Sequence, residues 1–263
     1  LIINGAECEP YITSDYRCLM EEGEDVLEGV LLMLKYLGIP KCIIGIEKNK
    51  PKAIEKMTRL CEKHDNITVK ALKSSYPQGA EKTLIFSTTG RVVKEGTLPL
   101  ASGCIVVNSS TAAFIAQYIR TGMPLVKRRI TVDGNIVKKP SNFIVPVGMS
   151  IGEIVYYAEL SDKPDRIILG GPMMGACAFD PDYPLSKTNN AVLMFADSPV
   201  YEPSECIRCG KCVKACSMNL LPTELEHAFD MRDARRLEKL KVNLCVNCGA
   251  CSFVCPAKRN LAE

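Results

Sequence analysis

Residues Leu1–Pro10 read LIINGAECEP. Three apolar residues run into Asn4, Gly5 and Ala6, and two glutamates then bracket a thiol, Glu7-Cys8-Glu9, before Pro10. The apolar run reads as a buried strand. Residues 4–10 read in two ways: as a turn with exposed acids and a buried cysteine, or as a ligand site past the carboxyl end of a strand, where open α/β sheets bind their ligands. In the second reading the acids accept hydrogen bonds from ribose hydroxyls or a flavin ring N–H. They do not face phosphates, which need backbone N–H groups and cations. The chain starts in mid-strand and without methionine, so an upstream segment is expected.

Outward from this stretch, helices and strands alternate. A helix is expected from Asp15 to Leu37, with Leu19, Val26, Val30, Leu34 and Leu37 on the 3.6-residue period, stopped by Gly38 and Pro40. Cys42–Ile46 reads as a strand, Pro51–Lys63 as a helix with Ile54, Met57, Leu60 and Cys61 inward, and Ile67–Leu72 as a strand. A helix near Ala80–Ser87, a strand at Cys104–Val107 and a helix at Thr111–Thr121 complete residues 1–124. The alternation implies right-handed crossovers and a mainly parallel sheet, an α/β domain. The pattern then changes. RRITVDGNIVKKPSNFIVPVGMSIGEIV alternates like strands, turns at Asp133-Gly134 and Pro140-Ser141-Asn142, and offers Ser150 as a helix N-cap. Residues 125–160 therefore read as a small β-rich module with one helix. Residues 161–200, which contain ILGGPMMG, read as a connecting segment of loops and short strands, and residues 201–263 as a separate cysteine-dense region.

Composition is that of an ordinary globular protein: 47% hydrophobic, 24% charged, net charge +3. This makes no case for a nucleic-acid partner, and no apolar run approaches the ~18–20 residues that span a bilayer. Cysteine is the exception, with fourteen residues, eight of them from Cys206 to Cys255. A chain of this size is not a short disulfide scaffold, so the reading is a reducing cytosolic compartment and metal-bound thiolates. Cys18, Cys42, Cys61, Cys104 and Cys177 read as small buried hydrophobes, and His64 and His227 as exposed helix residues.

CIRCGKCVKACSMNLLP and CVNCGACSFVCPAKR each carry C-x2-C-x2-C-x3-C. Three thiolates two residues apart wrap one face of an iron–sulfur cubane, and the fourth typically ligates the other cluster in two-cluster ferredoxins. A zinc site needs only paired C-x2-C spacings and leaves the third cysteine unexplained. The expected ligands are Cys206, Cys209, Cys212 and Cys255 for one [4Fe–4S] cluster, and Cys245, Cys248, Cys251 and Cys216 for the other. Cys255 is followed by the customary proline, Pro256, whereas Cys216 is followed by Ser217. PTELEHAFDMRDARRLEKL, between the motifs, reads as a helix. Gly210 and Gly249 stand where cluster sulfurs need a close backbone. Arg208, Lys211, Lys214, Lys258 and Arg259 surround the motifs, where they tune a potential, dock an acidic ferredoxin or simply face solvent.

NGAECEPYITSD followed by LMEE resembles the family of the peripheral C subunit of the Rnf complex, the ion-pumping ferredoxin:NAD oxidoreductase. More distantly it is similar to the flavin-bearing subunit of respiratory complex I, whose matching stretch is N-A-D-E-S-E-P. The resemblance covers the nucleotide domain, a β-grasp module of the soluble-ligand-binding type, the GGPMMG segment and the double ferredoxin motif, in that order. It implies a Rossmann-like nucleotide domain, FMN, NAD(H) and two [4Fe–4S] clusters. Asn4 and Glu7 match FMN-site residues, and Glu9 matches an acid that contacts the nicotinamide nucleotide. Ala6 and Cys8 depart from the relative's acid and serine. YPQGAEKT is similar to Y-I-C-G-E-E-T, which matches Tyr76, Gly79 and Glu81 but not Ala80. VNSST is similar to I-N-N-V-E-T and implies Asn108 and Ser109 near the flavin phosphate. The family's phosphate-cradling glycine-rich loop, of the G-x-G-G-A-G-F-P type, does not occur in this sequence, so half of the phosphate site is expected to lie upstream.

The resemblance implies an electron-transfer subunit that exchanges electrons between nicotinamide, FMN and two clusters. No residue here is expected to act as a general acid or base, and the glutamates position and tune. The implied partners are integral and peripheral membrane subunits of an Rnf complex, NADH/NAD+ and, indirectly, ferredoxin. The implied location is the cytoplasmic face of the cell membrane, peripherally bound. A soluble cobalamin reductase of the same superfamily and a flavin-free electron wire are the rival expectations.

Overall fold

The computed structural model describes residues 1–197 and 199–262. The chain forms two compact units, one of residues 1–93 and 99–198, the other of residues 94–98 and 199–263.

The first unit holds a four-stranded parallel sheet. Strands β1 (Ile2–Gly5), β2 (Cys42–Glu47), β3 (Ile67–Leu72) and β4 (Val106–Asn108) lie in the order β3-β2-β1-β4. Helices α1 (Ser14–Glu21) and α2 (Gly23–Tyr36) link β1 to β2, α3 (Pro51–Cys61) links β2 to β3, α4 (Glu81–Thr89) precedes β4, and α5 (Ser109–Thr121) follows it. Successive strand residues serve opposite faces. Ile3 packs with Leu19, Val26, Val30 and Met57 on one face, while Ile2 packs with Leu72, Leu84 and Ile85 on the other. Both faces are thus covered by helices, as a parallel sheet requires. The single helix expected from Asp15 to Leu37 is two helices, broken at Glu22 (φ −120°, ψ 26°). Helix α2 approaches α5 closely because Gly29 carries no side chain: a β-carbon there would lie 1.9 Å from the Ala112 carbonyl oxygen.

The same unit contains a five-stranded mixed sheet in the order β6-β5-β9-β7-β8, built from β5 (Lys127–Asp133), β6 (Ser141–Pro146), β7 (Arg166–Leu169), β8 (Ala176–Ala178) and β9 (Ala191–Phe195). Helix α6 (Ile151–Tyr157) opens on a capping box made by Ser150 and Glu153. The β-rich module therefore does not stop at residue 160. The expected connecting segment supplies three strands, and β9 inserts parallel to β5 and antiparallel to β7. Its run AVLMF is apolar throughout, which suits a strand covered on both faces, and Ala191, Val192, Leu193 and Met194 are fully buried. Cys18, Cys42, Cys61 and Cys104 are buried, as expected, but Cys177 is exposed, because β8 is a short edge strand.

The second unit carries α7 (Lys211–Ala215), α8 (Pro222–Asp230), α9 (Ala234–Lys239) and α10 (Ala250–Phe253). The one helix expected between the cysteine motifs is α8 and α9. Arg232 turns left-handed (φ 53°), and the Asp233 carboxylate accepts from the Arg236 N–H (3.0 Å) to cap α9. His227 is exposed on α8, whereas His64 is half-buried beyond the end of α3. Among the described residues no helix is long and apolar enough to cross a membrane.

Candidate functional site

The first candidate site lies at the carboxyl edge of the parallel sheet. β1 has β2 on one side and β4 on the other, so the connections leave it in opposite directions, the arrangement that opens a crevice in such sheets. Asn4, near the end of β1, donates from Nδ2 to the Gly79 carbonyl oxygen (3.0 Å) and accepts the Ala6 N–H at Oδ1 (3.1 Å). The Gly79 N–H donates to Cys8 Sγ (3.4 Å), and a β-carbon on Gly79 would meet the Ala6 carbonyl oxygen at 2.7 Å. The Tyr76–Gly79 turn is thereby tied to the opening motif. Tyr76 donates its hydroxyl to Glu9 Oε1 at 3.5 Å.

Glu7 is held inside the protein. Its Oε1 accepts from the Asp15 N–H (2.7 Å) and the Ser14 hydroxyl (3.3 Å), and its Oε2 from the Tyr16 N–H (3.1 Å) and Lys50 Nζ (3.2 Å). A carboxylate thus satisfies the free N–H groups of α1 at the positive end of its dipole. Burial pushes the Glu7 carboxyl above its ordinary range, and Asp15 adds to that, against the pull of Lys50 and the two N–H groups. Asp15 in turn accepts from Asn108 Nδ2 (2.8 Å) and the Ser110 hydroxyl (2.9 Å). Asn108 ends β4 and caps α5 by accepting the Ser110 N–H (2.9 Å). Two buried acceptor or donor atoms here lack a hydrogen-bond partner among the described residues, Ser109 Oγ in the first turn of α5 and Glu47 Oε2 at the end of β2. Glu47 lies 3.9 Å from Lys50 Nζ, and burial raises its carboxyl.

Of the expected residues, Asn4, Glu7, Glu9, Tyr76, Gly79 and Asn108 join this hydrogen-bonded edge, and Ser109 sits beside it on α5. Glu81 opens α4 and is exposed. Sequence reasoning passed over Asp15, Glu47, Lys50 and Met173. An acid in the first turn of a helix is a legible helix-start signal for Asp15, whereas nothing local marks Lys50 as the partner of Glu7.

The second unit holds two cavities lined by thiols. Cys206, Cys209, Cys212 and Cys255 line one, and Cys216, Cys245, Cys248 and Cys251 line the other. Each cavity takes its fourth cysteine from the opposite motif. The two motifs repeat one backbone. Arg208 and Asn247 are left-handed (φ 55° and 50°) and turn their N–H groups to Cys206 Sγ and Cys245 Sγ, each at 3.4 Å. Gly210 and Gly249 are left-handed (φ 72° and 73°) and start α7 and α10, so these glycines answer a backbone need. Among the described residues no three His, Cys, Asp or Glu side chains gather around one ion-sized point. The thiols surround a space instead, which fits the donor set of a thiolate-held cluster. Both walls are otherwise apolar: Met218, Leu220 and Leu225 line the Cys216 cavity and Ile207, Pro256 and Ala257 the other, while Arg208, Lys211 and Lys258 are exposed nearby in the sequence.

Residues 1–117 match the Nuo51 FMN-binding domain family, and residues 205–259 match the 4Fe-4S dicluster domain family. The chain is 40% identical over 246 residues to the C subunit of the proton-translocating ferredoxin:NAD(+) oxidoreductase complex of Clostridium ljungdahlii, covering 92% of this chain and 53% of that protein. It is 39% identical over 228 residues to the Na(+)-translocating counterpart of Acetobacterium woodii (86% and 52%). It is 38% identical over 244 residues to the C subunit of the ion-translocating oxidoreductase complex of Rhodobacter capsulatus (90% and 47%). The chain spans about half the length of the curated relatives it matches. Crystal structures of an NAD+-reducing [NiFe]-hydrogenase share the fold, at TM-scores of 0.65 (15% identity, 99% of this chain, 52% of that chain) and 0.62 (19%, 74%, 40%).

Proposed function

We propose, from the premise that this chain belongs to the family of the C subunit of the ion-translocating ferredoxin:NAD(+) oxidoreductase complexes, that it is the nucleotide-facing electron-transfer part of such a complex. The observation that carries the reading is the presence on one chain of a polar edge at the sheet's switch point and two four-thiol cavities. FMN bound at that edge would exchange a hydride with NADH and single electrons with two [4Fe–4S] clusters.

The chain's own residues bind and orient. Glu9 presents a half-buried carboxylate to the nicotinamide nucleotide. Asn4, Gly79 and Tyr76 hold the turn that borders it. Ser109 Oγ, a buried donor without a partner among the described residues in the first turn of α5, suits a phosphate oxygen, as helix N-termini do. Glu7, with both oxygens engaged, supports the site through α1 and Lys50 rather than by touching a ligand. Asn108 does the same through Asp15 and the α5 cap. Cys206, Cys209, Cys212 and Cys255 hold one cluster, and Cys216, Cys245, Cys248 and Cys251 the other. The partners are integral and peripheral membrane subunits, and ferredoxin reaches the chain through them. The site of assembly is the cytoplasmic face of the membrane, reached by docking.

The test is anaerobic addition of NADH to full-length protein loaded with FMN and iron. Bleaching of both the flavin band and the broad cluster absorption is expected. Flavin bleaching with clusters left oxidised rejects the electron path, and tight iron loading without any flavin binding points to a wire.

A further inference from the structure

The GGPMMG stretch takes no part in the thiol cavities or in the capping of α1 and α5. It follows β7 and doubles back on itself: Gly170 is left-handed (φ 100°), and the Gly175 N–H donates to the Gly171 carbonyl oxygen (2.8 Å). The turn is aimed at the opening motif. The Met173 N–H donates to Glu9 Oε2 at 3.1 Å. Gly171 lies against the same side chain, so that a β-carbon there would stand 2.2 Å from Oε2 and 2.6 Å from the Glu9 Cβ. No side chain fits at position 171 while Glu9 keeps its place. The other oxygen, Oε1, has the long Tyr76 hydroxyl contact at 3.5 Å. The Met174 N–H donates to the same carboxylate, so the loop grips Glu9 through its backbone while the residue itself stays half-buried.

We infer that the Gly170–Gly175 loop is a positioning element of the nucleotide site, in which Gly171 and the Met173 N–H set the Glu9 carboxylate so that Oε1 accepts a hydroxyl or amide donor of the nicotinamide nucleotide. This rests on the reading of Glu9 as the nucleotide-facing acid. The physical advantage is preorganisation. A free glutamate loses rotamer freedom when it binds, whereas one already held by a charge-assisted bond and a close glycine loses little. The loop also belongs to the five-stranded sheet and Glu9 to the edge of the four-stranded one, so the grip fixes the two sheets' contributions at a single carboxylate.

The experiment uses full-length protein loaded with FMN and clusters. NAD+ binding is measured by calorimetry, and flavin and iron content are measured in parallel. Gly171→Ala is expected to weaken NAD+ binding about tenfold with flavin and iron unchanged, as is Glu9→Ala, and the double variant is expected to bind no worse than Glu9→Ala alone, because the two losses share one cause. Amide exchange supplies a readout independent of ligand and of the folding of Gly171→Ala: the Met173 N–H is expected to exchange at least about tenfold faster in Glu9→Ala than in the parent. Unaltered NAD+ binding in Gly171→Ala, additive losses in the double variant, or unchanged Met173 exchange each overturns the positioning role. Unaltered NAD+ binding in Glu9→Ala overturns instead the nucleotide reading of Glu9 on which it rests.

Discussion

At the carboxyl edge of the four-stranded sheet, Glu9 meets Met173 and Asp15 meets Asn108, whereas in the second unit Cys206, Cys209 and Cys212 reach one cavity from a single short motif. The edge is a product of distant segments: β1, the turn before α4, the start of α5 and a loop of the other sheet all contribute to it. Each thiol cavity is mostly local, with one long-range member. The difference teaches where each region is vulnerable. A site assembled from distant segments depends on a well-formed core and on buried charges that are paired. A site assembled by a motif depends on its ligands and on a few left-handed residues.

The largest effect is expected at the long-range member of the local region. Cys216→Ala should empty the cavity it shares with Cys245, Cys248 and Cys251 and leave the other intact, halving the iron from about eight to about four per chain. Iron analysis and the spectroscopy of the remaining cluster check this. Loss of the cluster held by Cys206, Cys209 and Cys212 in that variant would mean that the motifs are not crossed, and the contrast between local and distant assembly would weaken.

A smaller but large effect is expected at the edge. Glu7 is buried and Lys50 largely so, and removing the Glu7 carboxylate strands the N–H groups of α1 and leaves Lys50 only the longer carboxylate contact, to Glu47 at 3.9 Å. Glu7→Ala should destabilise the first unit by ~3–5 kcal/mol while leaving iron content untouched. Denaturant unfolding followed alongside cluster absorbance separates the two. If cluster retention fell in step with first-unit stability, the two regions would not be independent.

The smallest effect concerns pH. Burial raises the Glu47 carboxyl above its ordinary 4.5. A raised folded value means that the folded state binds the proton more tightly than the unfolded one. Stability then falls as pH rises through the interval between 4.5 and the folded value, and is level above it. Glu7 and Glu9 shift in the same direction, so Glu47→Gln should flatten the slope without abolishing it, by no more than about 1.4 kcal/mol for each tenfold difference in proton affinity that the substitution removes. Denaturation midpoints between about pH 5 and pH 8 check this, and an unchanged slope would place the proton on another group.

Much of this architecture was legible in advance. Alternating apolar runs and amphipathic helices yielded the parallel sheet, because period-2 and period-3.6 patterns are imposed by burial itself. Ser150 announced itself as the cap of α6. Other features were hidden for definite reasons. The break at Glu22 lies within an unbroken helical period, and the close approach of Gly29 to Ala112 becomes visible only once α5 is in place. β9 hid because a short, wholly apolar run fits a loop-bound segment or a core strand equally well until its neighbours β5 and β7 are known. Cys177 was assigned to the interior on composition, but edge position decides exposure in a sheet.

Glu7 and Glu9 mark the boundary between the two kinds of knowledge. By itself the sequence determined that two carboxylates stand past a strand's end and that eight thiols fall in two repeated motifs, because chain spacing and backbone geometry limit what such residues reach. Only the tertiary structure decided that Glu7 turns inward to α1 and Lys50 while Glu9 is held by Met173 and Gly171. The two acids are close in sequence and point to different surroundings. Which one is drawn into the fold and which stays at the half-buried edge depends on donors brought from elsewhere in the chain, and no local pattern encodes where those donors come to rest.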